Sequence, residues 1–202
     1  MESPAVTASP LVRRYSLDEF FALDPPPGGG HWELIAGVLY MVPPPEWPHN
    51  DSASRLVRFL SRYADTHADA CTLYVPRTPI WAEADTYLEP DLFLISSARL
   101  NAAHRQRITS AELVVEIYSP GSSVYDRTAK ADTYAALGCD ELWLVDPEHR
   151  TIEQRALGDG NRWQSTRSWS AGEVVRSTSF PGLAVAVDDV FDGRSLGGAS
   201  SS

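Results

Sequence analysis

The sequence predicts a mixed α/β (α+β) fold whose core runs helix, three strands, helix, strand, with an N-terminal hairpin before it and extra C-terminal β-strands after it. Three observations predict it. Apolar residues recur at helical spacing from about Asn50 to His67; three segments rich in β-branched and aromatic residues follow; and a second helical stretch closed by Gly138 leads into the apolar run ELWLVD.

In chain order, residues 1–14 read as a disordered terminus, and Leu17, Phe20 and Phe21 carry the apolar pattern of a short helix. The run PPPGGG at 25–30 punctuates the chain. HWELI and VLYMV, joined by Ala36-Gly37, read as a hairpin that puts Glu33 on a strand, and PPPEWP ends it. In the long helix, Ala53, Leu56, Val57, Leu60, Tyr63 and Ala64 share one face, whereas Arg55, Arg58 and Arg62 share the other, the expected wet face of an amphipathic helix.

CTLYVPRTPIWA, EPDLFLI and ELVVEIYS are the three core strands, SSVYDRTAKADTYAALG the second helix and ELWLVD the last core strand. TIEQRAL, RWQSTRSW, EVVRST and LAVAVDD read as further short strands joined by turns such as GDGN. The tail from Gly193 is of the flexible Gly/Ser type. With 202 residues, 43% of them hydrophobic, the chain suits one domain over 15–192.

The net charge of -10 argues against a general basic surface for nucleic acid, so any polyanion needs a local landing site. Cys71 and Cys139 have neither the number nor the spacing of a disulfide framework or zinc knuckle and read as small buried side chains. The N-terminus lacks a secretory apolar run and no segment approaches membrane-span length, so a cytoplasmic location without membrane association is expected.

The chemistry concentrates in two strands and a helix. In ELVVEIYS, alternation puts Leu113, Val115 and Ile117 on one face and Val114, Glu116 and Tyr118 on the other, so Glu116 is an acid in an apolar strand and requires compensation. Asp91 opens PDLFLI directly after Pro90. Two carboxylates on neighbouring strands suit one Mg²⁺ or Mn²⁺, which can polarise a phosphodiester and activate water. The structural alternative is a strand-start Asp91 and a Glu116 paired with an arginine.

Of 17 basic residues only Lys130 is lysine. A site built for a compact ammonium does not accept a planar guanidinium, and Lys130 would steady the nucleophile or offset charge on phosphate. The alternative is a solvated helix position. Asp126, Lys130 and Tyr134, at i, i+4 and i+8, line one helical face, with Asp126 able to orient Lys130 and Tyr134 to wall the site. His49, just before the long helix, reads as a cap or an exposed residue, with a phosphate contact as the alternative.

WELIAGVLYMVPPPEWPHN, EPDLFLI and especially LVVEIYSPGSSVYDRTAKADTYAALGCDELWLVDPEHRTIE resemble the Uma-two family of restriction endonucleases, within the PD-(D/E)XK nuclease superfamily, over roughly residues 31–192. The resemblance implies a restriction-endonuclease-like core in the order read above. It implies that Asp91 is the PD acid, Glu116 the second acid and Glu33 an upstream acid contributing to metal binding. Tyr118 stands where the parent motif has lysine, and Lys130 looks like its migrated replacement.

The expected activity is Mg²⁺- or Mn²⁺-dependent hydrolysis of DNA, with Glu33, Asp91, Glu116 and Lys130 as the catalytic set. Asp91, Glu116 and Glu33 would be metal contacts and the Ile117 carbonyl a further ligand; a homodimer would suit two-strand cleavage. A non-catalytic nuclease-fold scaffold is the alternative. A two-carboxylate glycoside hydrolase ranks last, because it gives Lys130 no role.

Overall fold

The computed structural model describes residues 12–82, 85–103, 107–119 and 125–192, with the side chains of Asp126 and Arg127 outside the description. Most of the expected disordered terminus, the expected flexible tail and the proposed orienting contact of Asp126 fall outside the described residues. Within them, Arg14 donates to the carbonyl of Ala36 and Tyr15 N–H to that of Gly37, tying the first described residues to a hairpin turn.

A capping box at Ser16 and Glu19 starts helix α1 (Leu17–Phe21). The hairpin is β1 (His31–Ile35) and β2 (Val38–Val42), in register from His31↔Val42 to Ile35↔Val38. Its two-residue turn has positive φ at Ala36 (47°) and Gly37 (77°), the geometry that matches strand twist. Helix α2 (Trp47–Thr66) has Pro in its first turn and buries Ser52, Leu56 and Leu60.

The remaining elements are β3 (Cys71–Tyr74), β4 (Ile80–Ala82), β5 (Thr86–Leu88), β6 (Leu92–Ser96), α3 (Ser97–Ala102) and β7 (Leu113–Ile117). A π-helical turn, Asp126–Lys130, runs into α4 (Ala131–Ala136). Then come β8 (Glu141–Asp146), β9 (Thr151–Gly158), β10 (Arg162–Trp169), β11 (Val174–Arg176), β12 (Ala184–Ala186) and α5 (Val187–Phe191).

The central sheet has strand order β10-β9-β8-β7-β6-β3, and β2-β1-β5-β4 form a second sheet. Pairing is antiparallel except between β7 and β8, and α4 lies in the connection that this parallel pair requires. Every residue of β7 and β8 is buried because both faces of the sheet are covered. On one face Leu113, Val115 and Trp143 pack with Leu56, Leu60, Val185 and Val190; on the other Val114, Leu142 and Leu144 pack with Ile35, Ile80, Leu88 and Tyr134.

The order α2, β3, β6, β7, α4, β8 is the predicted core, and the alternation read in ELVVEIYS is the one observed. Three local readings change. CTLYVPRTPIWA is two strands in different sheets, since Pro76 and Pro79 remove ladder donors and Arg77 takes φ +76°. Ser96, whose side chain accepts from Arg99 N–H, starts the unpredicted α3. LAVAVDD leaves its strand at Ala186 and turns into α5.

The expected wet arginine face of α2 is also only partly wet. Arg55 donates to the carbonyls of Val190 and Phe191 at the end of α5, 3.2 and 2.7 Å away, satisfying acceptors that a helix terminus leaves over. Arg58 and Arg62 are exposed. Gly138 closes α4 at φ +79°, as its position predicted. Both cysteines are buried and free.

Candidate active site

Strand pairing brings the two motif acids together. The β6–β7 register is Leu92↔Val115 and Phe93↔Val114, so Asp91, one residue before β6, falls opposite Glu116 on the face that carries Phe93 and Val114. Asp91 and Glu116 line one cavity of about 320 Å³, with Ile117, Ser119, His49, His31, Arg77 and Lys130 among its walls. Asp91 Oδ2 accepts the Ile117 N–H at 2.7 Å, and Oδ1 lies 3.1 Å from His49 Nε2.

Lys130 reaches this site from the π-helical turn, a feature concentrated at functional positions in helices. Its ammonium is 3% exposed and sits 2.9 Å from Glu116 Oε1 and 3.3 Å from Glu33 Oε1. Tyr134, one turn further on, donates to the same Glu116 oxygen at 2.5 Å. The predicted helical face therefore does meet the strand acid. Tyr118, where the resemblance to the parent motif would place a lysine, is buried in the core.

Glu33 is fully buried, and both of its oxygens are committed. Oε1 accepts the Glu89 N–H at 2.8 Å and faces Lys130, while Oε2 accepts the Tyr125 hydroxyl at 2.9 Å. Burial by itself would raise this carboxyl's pKa. The Lys130 ammonium, with His31 and the Glu89 N–H adding to it, outweighs that and holds the group below its usual value. Burial and the adjacent carboxylates push both Tyr125 and Tyr134 upward, so their hydroxyls stay protonated and act as donors.

Three of the four expected site residues meet directly: Lys130 bridges Glu33 and Glu116, and Asp91 joins through the strand register and the shared cavity. Two hard carboxylates and main chain around an open cavity fit Mg²⁺ or Mn²⁺, which commonly takes one or two protein carboxylates and keeps its waters. Among the described residues no group of three Asp, Glu, His or Cys side chains is arranged to hold a metal by itself. The donor set therefore fits a partly hydrated hard cation and not a dedicated cage.

The profile of the Uma2 family, described as "Putative restriction endonuclease", matches residues 17–188. The chain belongs to the Uma2 family. A crystal structure of a "putative nuclease belonging to DUF820" from Anabaena variabilis superposes on this Uma2 chain with a TM-score of 0.71 and 20% identity. It covers 88% of this chain and 98% of the other, and the restriction-endonuclease-like fold is shared. No curated protein matches. Among the described residues no helix is long and apolar enough to cross a membrane.

In the Uma2 chain two site neighbours escaped the sequence reading. His49 was expected to cap α2 or lie exposed, but its side chain is 11% exposed and faces Asp91, 42 residues away. Tyr125 received no role, yet it donates to Glu33 and stacks on Tyr40 at 4.4 Å between ring centres. The run PPPEWP before His49 was the available signal, since Pro43, Pro44 and Pro45 line the same cavity and proline suits the start of the helix that carries His49.

Proposed function

We propose that this protein is a divalent-metal-dependent endonuclease that hydrolyses DNA phosphodiester bonds. The observation that carries the reading is the cross-strand placement of Asp91 and Glu116 on one cavity wall, with the chain's single lysine 2.9 Å from Glu116. Asp91 and Glu116 would hold Mg²⁺ or Mn²⁺, which when bound polarises the phosphodiester and activates water. Ile117, whose carbonyl would be a further ligand, lines the same cavity.

Lys130, itself buried at the cavity wall, supplies fixed positive charge where negative charge develops on phosphate. Glu33 acts through Lys130: it is fully buried and, unlike Asp91 and Glu116, is not among the residues lining the cavity, so it is a positioning residue for the ammonium more than a direct metal contact. His49 and the Ile117 N–H orient Asp91. Tyr134 helps to fix the Glu116 side chain by donating to its Oε1.

The test is incubation of the purified protein with supercoiled, linear and single-stranded DNA, in Mg²⁺ or Mn²⁺ and in EDTA. Cleavage that needs the metal and disappears in Asp91→Ala and Lys130→Ala is the expected result. Cleavage unchanged in both variants would sink the assignment. The net charge of -10 favours a second reading, a nuclease-fold scaffold that binds without cutting, and calorimetry showing no Mg²⁺ or Mn²⁺ binding at millimolar concentration would select it.

A further inference from the structure

The two Lys and Arg residues on the cavity wall differ in what they can do. Lys130 is buried and held between Glu33 and Glu116. Arg77 stands in the β3–β4 connection with its side chain 66% exposed, and its described hydrogen bond is a single one, NH1 to Glu89 Oε2 at 2.9 Å. A guanidinium presents five N–H donors in a planar fork, so this contact leaves most of the fork for another anion.

The backbone adds a second, independent observation. Among the described residues, Ala36, Arg77, Arg150 and Asn161 are the non-glycine residues with positive φ. Ala36, Arg150 and Asn161 lie in the turns of the β1–β2, β8–β9 and β9–β10 hairpins, where pairing of adjacent strands demands that geometry. Arg77 does not: β3 and β4 belong to different sheets, and the residue sits at φ +76° between Pro76 and Thr78-Pro79. Glycine would adopt this conformation without strain, yet an arginine occupies it and lines the cavity.

We infer that Arg77 is a substrate-phosphate contact, the local landing point for a DNA backbone entering the cavity that holds Asp91 and Glu116. The chain carries net charge -10, so its long-range field repels a polyanion and a phosphate must be met by a cation at the site itself. Glu89 holds the guanidinium at the rim, and its N–H in turn fixes Glu33, so the rim arginine and the buried lysine are coupled through one strand end. This inference rests on the reading of DNA as substrate, and its test separates the two.

Binding of a fluorescein-labelled 20-nucleotide DNA, single-stranded and duplex, is measured by anisotropy at several salt concentrations in an Asp91→Asn background that prevents cutting. Arg77→Gly is the informative variant, because φ +76° suits glycine and misfolding does not confound the result. The expected outcome is affinity about five- to tenfold weaker, with the salt slope smaller in magnitude by about 0.7–0.9. Arg77→Lys should retain the slope with intermediate affinity. Arg150→Gln, away from the cavity lining, should bind like its parent.

Equal affinity for Arg77→Gly and parent, or an equal loss in Arg150→Gln, overturns the inference and leaves the nuclease reading standing. No detectable DNA binding by the parent overturns the DNA reading and the inference with it.

Discussion

Replacing Lys130 by Met removes one charge while keeping most of the side chain's bulk, and the structure fixes what that does. The ammonium lies 2.9 Å from Glu116 Oε1 and 3.3 Å from Glu33 Oε1, with all three side chains no more than 3% exposed. At an effective dielectric near 20, contacts of this length are worth roughly 5–6 kcal/mol each before desolvation is subtracted. Stranding buried carboxylates by removing their partner costs about 3–5 kcal/mol net. Urea unfolding at pH 8 is the assay, with that loss as the expected result.

The pH profile makes the test sharper. In the native chain Glu33 has a lowered pKa, so its contribution to stability is present above the usual carboxyl value near 4.5 and is lost as pH falls through the lower folded value. Without Lys130, burial dominates and the folded pKa rises above the unfolded one. Glu33 then contributes fully only below the unfolded value, and stability falls as pH rises through the folded one. The deficit of Lys130→Met should therefore shrink between pH 8 and pH 4. A flat deficit, or one under about 1 kcal/mol at pH 8, would refute the buried three-charge arrangement.

Two further predictions concern the surroundings. His49→Ala should leave the fold intact and weaken Mg²⁺ or Mn²⁺ binding about 10–100-fold by calorimetry, because Asp91 loses one of its two orienting partners; native-like metal affinity would show that Ile117 N–H alone orients it. Glu141 is fully buried and accepts from Trp143, Gln154, Ser177, Thr178 and Ser179. Glu141→Ala should cost at least about 3 kcal/mol in urea unfolding without altering metal binding, and a loss below about 1 kcal/mol would contradict that network.

Much of the fold was legible because local periodicity carries it. The apolar face of α2 and the alternation of β7 are properties of spacing, and the same spacing put Glu116 on one strand face and Lys130 with Tyr134 on one helical face. The CTLYVPRTPIWA segment failed under the same reasoning. Its composition is that of a strand throughout, but which sheet each half joins is settled by partners distant in sequence: Cys71–Tyr74 by Phe93–Ser96, and Ile80–Ala82 by Thr86–Leu88.

The sequence by itself determined the core order, the identities of Asp91, Glu116 and Lys130 as the residues to watch, and, by resemblance, the family. Tertiary structure decided which of their neighbours matter. Glu33 is committed to partners 56, 92 and 97 positions away, His49 to one 42 away, and Arg77 to a glutamate across a sheet connection. A carboxylate at a strand position reads the same in sequence whether it is solvated or sealed around an ammonium. The difference is desolvation and the direction of facing donors, and both exist only once distant strands and helices have closed around the group.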